Sequence, residues 1–298
     1  MTNKPVIRSI FFGNYFYGIC AVALSMEAAV QQGIPINEPA YYWIVFSLCT
    51  WFYTRAYVQD QNPDNLNQRT QWYRHHARLV HVSQALLLTS GSALLLWSIP
   101  QLRFDIGWQN WFLLLCFPAA AFLYYGPQLG SRFSLNLRNR GWLKPFLIGF
   151  IWAGAVTVYP LFYYYMQQGM QPVATSITLL LFTKNFVFIS ILCIMFDIKD
   201  YAEDYNRELK TFVVRNGLRK TIFMLLIPLC IVGLASLVVI GIFRGFTPVR
   251  IGVNTLPFWA AMLTAYSLHK RHQILYYLVL IDGLMLFKAF CGIIAMWF

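Results

Sequence analysis

Charge is what this chain is short of. Only 11% of its 298 residues are Asp, Glu, Lys or Arg, 58% are hydrophobic, and the mean hydropathy is +0.53. A soluble domain carries roughly a quarter charged residues, so that class is excluded and a polytopic membrane protein is implied. Cysteines at paired spacing are missing as well. Cys20, Cys49, Cys116, Cys193, Cys230 and Cys291 stand singly in apolar runs, which suggests small apolar residues, with neither a disulfide framework nor a zinc site. No Gly-x-Gly-x-x-Gly, P-loop or nucleophile elbow occurs, so nucleotide hydrolysis and acyl transfer have no support. The histidines form no ligand set: His75 and His76 adjoin and point apart, and His269-Lys270-Arg271-His272 reads as a basic turn. No small-residue cleavage site follows the first apolar run, so the N-terminus is expected to stay attached.

Apolar runs, by contrast, are plentiful. Stretches long enough to span a bilayer, about 20 residues each, lie at 10–30, 40–58, 79–99, 109–129, 144–166, 173–197, 220–243, 251–268 and 274–298. The expected fold is therefore all-α: one domain over residues 1–298, a bundle of nine transmembrane helices with a cytoplasm-facing polar cavity. The net charge of +12 would suggest nucleic acid in a soluble domain, but its distribution points to a membrane instead. With the N-terminus inside, the inner segments hold seventeen Lys and Arg and the outer loops only Arg103, Arg244 and Arg250. That bias sets the N-terminus in the cytoplasm and the C-terminus outside, in a cell inner membrane, with membrane lipid as a partner and nucleic acid not.

Acidic residues are scarcer still, and they are clustered. Of eleven Asp and Glu, seven lie in two short stretches, Asp60/Asp64 and Asp197/Asp200/Glu203/Asp204/Glu208. Asp197, Asp200 and Asp204 fall at i, i+3 and i+7, one face of a helix. Like charges so placed repel unless a cation faces them. The hard cation that prefers carboxylates, water and substrate phosphates is Mg²⁺. The spacing thus reads as a metal-bridged diphosphate site, and the positive-inside orientation puts both stretches on the cytoplasmic side. Asp60 and Asp64 are four apart, but Pro63 between them cannot continue a helix, and an ordinary polar turn at Asn62-Pro63-Asp64-Asn65 is an equal alternative. Arg69, Arg74 and Arg78 follow the first cluster as Arg207, Lys210, Arg215, Arg219 and Lys220 follow the second. Such cations hold phosphate oxygens and take up charge as diphosphate leaves, while about half of them are expected to be positive-inside charges only.

These residues resemble the UbiA-type membrane prenyltransferase superfamily. The second family motif, Asp-x-x-Asp-x-x-x-Asp at the cytoplasmic end of the sixth of nine helices with a Lys-Thr pair beyond it, is met by Asp197, Asp200, Asp204 and Lys210-Thr211. Tyr124-Tyr125-Gly126-Pro127 and Lys144-Pro145 look like the family's tyrosine-proline and lysine signals, and Asp282-Gly283 is a further point of likeness. The first motif departs from the pattern: Asp60 and Asp64 fit its last two acids, but Ala56-Tyr57 stands where Asn-Asp is usual. Thr54 and Asn62 are the nearest oxygen donors to compensate. A shifted substrate, a weaker metal site and diphosphate binding without efficient turnover are all open.

The resemblance implies a Mg²⁺-dependent enzyme that moves a prenyl group from a polyprenyl diphosphate to a lipophilic, aromatic acceptor within the membrane. Its implied catalytic and metal-binding residues are Asp60, Asp64, Asp197, Asp200 and Asp204, and its substrate-binding residues Asn14, Arg69, Arg74, Lys144, Asn185 and Lys210. A terpene cyclase using the same diphosphate site is one alternative, and a non-catalytic transporter or lipid-binding protein another. Among the remaining intramembrane polar residues, Asp282 is expected to pair with Lys184 or Lys288 as a structural bridge, Glu27 to reach the headgroups, and the aromatic run Tyr159–Tyr165 to form an interfacial belt.

Overall fold

A computed structural model describes residues 5–58, 68–125, 141–201, 210–270 and 274–298. Within them every regular element is helical. In chain order these are α1 (Pro5–Phe12), α2 (Tyr15–Gln31), α3 (Pro39–Val58), α4 (Gln68–His75), α5 (Ala77–Ser98) and α6 (Trp108–Tyr125). Next come α7 (Lys144–Ala153), α8 (Tyr159–Gln167), α9 (Ser176–Lys199), α10 (Phe212–Asn216) and α11 (Leu218–Lys220), then α12 (Ile227–Phe243), α13 (Pro248–Ser267) and α14 (Ile274–Ile294). A π-helical turn at Gly154–Val158 joins α7 to α8, and a second at Thr221–Leu226 joins α11 to α12.

Five helical segments among the described residues are long and apolar enough to cross a membrane: Ala77–Gln101, Lys144–Gln167, Ser176–Lys199, Leu218–Phe243 and Ile274–Trp297. A sixth is added if Val6–Phe12 and Tyr15–Gln31 are one bent span. The other helices are diluted by polar and amphipathic residues: Tyr41, Tyr42, Thr50, Thr54 and Arg55 in α3, Trp108-Gln109-Asn110-Trp111 at the start of α6, and Arg250, Asn254 and Thr255 in α13. Large apolar side chains such as Leu96, Phe112, Phe122, Phe243 and Leu263 stand exposed.

The first apolar stretch is not the single helix expected. It breaks at Gly13-Asn14 with a bend of 67°, and Asn14 takes φ 62°, ψ 9°. Asparagine is one of the few residues besides glycine that enters this left-handed region readily.

The core lies between α2, α9, α13 and α14, where Leu24, Phe188, Ile191, Ile194, Met195, Phe258, Ala261 and Ile281 are all fully buried. Small residues let the helices approach. At Gly149 of α7 a Cβ would sit 2.3 Å from Ser190 Oγ and 2.9 Å from the Phe186 carbonyl of α9. That close crossing carries the first residue of α7, Lys144, to the last turns of α9. The aromatic run at Tyr159–Tyr165 is no simple belt: Leu161, Phe162 and Tyr163 are buried, and Tyr159 donates to the Leu114 carbonyl at 2.9 Å.

Candidate active site

Asp197 lies in the last turn of α9, where the unpaired carbonyls of a helix end already create negative potential. An acid there is doubly disfavoured unless cations gather round it. Asp197 is 0% exposed, its Oδ1 is held by Lys144 Nζ at 3.0 Å, and its Oδ2 has no hydrogen-bond partner among the described residues. Asp200, the C-cap of the same helix, pairs with Lys199 at 2.9 Å and stays partly open to solvent. The backbone of Lys210 and Thr211 closes the same corner, since a Cβ at Gly141 would meet the Lys210 carbonyl carbon at 2.6 Å. Thr211 then caps α10 by accepting from the Val214 N–H. Lys144, Asp197, Asp200 and the Lys210-Thr211 backbone are thus gathered at one end of the bundle, with the Lys210 side chain exposed.

Asn14 and Arg69 meet at the α1–α2 break, where both are buried and their visible bonds are to the fold. Asn14 Nδ2 donates to Thr54 Oγ1 at 3.1 Å and to the Tyr73 hydroxyl at 3.0 Å, while its Oδ1 accepts from Arg69 Nη2. Arg69 also donates to the Phe11 and Phe12 carbonyls, both at 3.2 Å, closing the C-terminal end of α1. Thr54 donates in turn to the Gly13 carbonyl at 3.3 Å, so the hydroxyl expected to compensate the first acidic motif is already engaged in the clasp. Arg74 lies exposed on α4. Asn185 is elsewhere: it donates to Thr157 Oγ1 at 2.8 Å, twelve residues before Asp197 and so about 18 Å along α9. Asp60, Asp64 and Asp204 lie outside the described residues, as do Asn62, Glu203 and Glu208.

Two expectations for intramembrane charges are overturned. Glu27 does not reach the headgroups but is 1% exposed, with Oε1 bound by Lys184 at 3.0 Å and Oε2 by Lys288 at 2.5 Å. Gln31 donates to Glu27 at 3.0 Å, and Lys184 also reaches Gln31 at 3.1 Å and Asn254 at 3.3 Å. Asp282 therefore has neither lysine as partner. The physical reason is position: Glu27 is one turn from Gln31 on α2 and faces α9 and α14 where they carry their lysines, whereas Asp282 is six residues earlier on α14. The sequence did show single acids and bases in apolar runs, but which acid each lysine meets is a property of the packing.

An aromatic group joins α2, α3 and α7. Tyr17 and Tyr53 stack with centroids 4.7 Å apart and planes 13° apart, and Trp152 Nε1 donates to the Tyr53 hydroxyl at 2.5 Å. Magnesium fits this corner on one observation, the buried Asp197 oxygen that the described residues leave unbonded. Among the described residues no three His, Cys, Asp or Glu side chains group to hold a metal, and Asp60, Asp64 and Asp204 are not among those residues. Set against protein-family models, curated proteins and solved structures, the chain matches none.

Proposed function

We propose that the chain is an intramembrane prenyltransferase of the UbiA type, transferring a prenyl group from a polyprenyl diphosphate to a lipophilic aromatic acceptor. The observation that carries this reading is Asp197: a wholly buried carboxylate at a helix C-terminus, with one oxygen on Lys144 and the other unbonded among the described residues. A carboxylate so placed is costly, and its spare oxygen is what a cation-bridged diphosphate uses. Asp197 and Asp200, with Asp60, Asp64 and Asp204 from the sequence motifs, would hold Mg²⁺, which when bound supplies Lewis-acid polarisation of the diphosphate oxygens.

The chain's own residues do the rest. Lys144, on the Asp197 carboxylate, and Lys210 would hold phosphate oxygens and offset charge as the C–O bond ionises. Tyr17, Tyr53 and Trp152 offer π faces to an allylic cation and keep water from it. Nine spans, with the N-terminus cytoplasmic in an inner membrane, complete the proposal, since they set the Asp197 end beside soluble diphosphate and metal. Ala56-Tyr57 in the first acidic motif favours a second reading, a diphosphate- or lipid-binding protein of this architecture without turnover.

The deciding experiment incubates purified protein with farnesyl or geranylgeranyl diphosphate, Mg²⁺ and a panel of phenols, following diphosphate and organic products together. Acceptor-dependent release is the expected result. Release with a cyclic hydrocarbon and no acceptor requirement would make the protein a cyclase. Mg²⁺-dependent binding without release would replace the transferase with the binding protein.

A further inference from the structure

Asp282 is the buried carboxylate that the diphosphate site does not use. It is 1% exposed on α14, and its Oδ1 has no hydrogen-bond partner among the described residues. Tyr17, Arg69 and Lys199 lie near enough to act on its carboxylate. Cys20 Sγ lies 3.7 Å from its backbone carbonyl. Cys193, one turn deeper on α9 than Asp197, has both Asp197 and Asp282 acting on it. Asp282 therefore lies below the Asp197 corner, beside the Tyr17–Tyr53 stack. A carboxylate at this depth with no lysine bonded to it among the described residues is expensive to keep for structure alone. Both residues expected to make it a structural bridge, Lys184 and Lys288, are held by Glu27.

We propose that Asp282 is the proton acceptor of the transfer, an assignment that rests on the prenyltransferase reading. The diphosphate C–O bond breaks with its electron pair leaving on the diphosphate. The acceptor ring carbon forms the new C–C bond to the allylic carbon. The ring C–H proton then passes to Asp282 Oδ1, and the C–H electron pair restores aromaticity.

The test compares the parent protein with D197N, D282N and D282E, using farnesyl diphosphate, Mg²⁺ and a phenol that the parent prenylates. D197N should lose diphosphate release and product together. D282N should go on releasing diphosphate, while prenylated product per diphosphate falls on the order of a hundredfold and farnesol replaces it, the scale of a lost general base. Parental product per diphosphate in D282N overturns the proposal, and so does loss of diphosphate release in a D282N protein that elutes as folded. Should D282N not fold, D282E decides. It keeps the charge but moves the oxygens by one methylene, and is expected to show a deuterium isotope effect with ring-deuterated phenol that the parent lacks. No isotope effect with an unchanged product ratio overturns the assignment. Absence of diphosphate release in the parent itself would instead remove the prenyltransferase reading, and this inference with it.

Discussion

Glu27 and Asp197 are both buried carboxylates on long apolar helices, and each is held by a lysine at 3.0 Å. They part company at the second oxygen. That of Glu27 is taken by Lys288, and the amides of Gln31 and Asn254 fill in around the lysines, so four helices, α2, α9, α13 and α14, are tied by a network in which the carboxylate has nothing left to bind with. Asp197 Oδ2 is bonded to none of the described residues. A buried polar group left unbonded costs folding free energy, so the spare Asp197 oxygen is open to a partner beyond the described residues, whereas the Glu27 network is closed. The two carboxylates differ in bonding rather than in depth, since both are equally buried.

Substitutions can break that contrast. The largest effect is expected from Asp197→Asn, which keeps the shape but removes the anion: turnover should fall on the order of a thousandfold, the loss of several kcal/mol of charge stabilisation, with the thermal midpoint little changed. Parental turnover would mean that Asp197 is as structural as Glu27. Glu27→Gln should do the opposite, costing about 3–5 kcal/mol of stability because two buried ammonium groups lose their counter-charge, while activity per folded molecule persists. Chemical denaturation in detergent reads the first and the transferase assay the second. Adding Lys288→Met to Glu27→Gln should recover part of the loss, and strict additivity in that double-mutant cycle would deny the coupling.

Smaller effects sharpen the contrast. Lys144→Ala removes a charge-assisted bond from the Asp197 carboxylate and should weaken diphosphate binding by about 1.5–3 kcal/mol, measured by titration with farnesyl thiodiphosphate. Unchanged affinity would confine Lys144 to orienting α7. Gly292→Ala places a Cβ where Glu27 Oε1 lies 2.2 Å away and Gln31 Nε2 2.5 Å away. An overpacking cost of about 1–3 kcal/mol is expected, read as a lower thermal midpoint with normal turnover. A neutral outcome would show that the Glu27 network can shift without loss.

Much of the architecture was legible before any coordinates, because hydrophobic run length reports directly on helices that must satisfy their own backbone in lipid. Among the described residues helices lie on the apolar stretches read from the sequence, and five segments are long and apolar enough to cross a membrane. The break at Asn14 was not legible. Gly13-Asn14 interrupts no apolar run, and what holds the left-handed turn is Arg69, Thr54 and Tyr73, forty or more residues away. Lys144 and Asp197 were picked out separately, one from each of two helix ends, and the tight crossing at Gly149 is what joins them.

The sequence by itself determined that this is a helical protein of apolar surface, and that seven of its eleven acids fall in two short stretches, with Asp197, Asp200 and Asp204 at the spacing of one helical face. Those are local properties, set by run length and by a period of 3.6 residues. Only the tertiary structure decided which charges find each other: that Lys184 and Lys288 converge on Glu27, that Asp282 is left near Tyr17, Arg69 and Lys199, and that Asp197 keeps an oxygen unbonded among the described residues. Ion pairing between helices depends on which faces meet and at what depth, and neither is encoded in the spacing along any one helix.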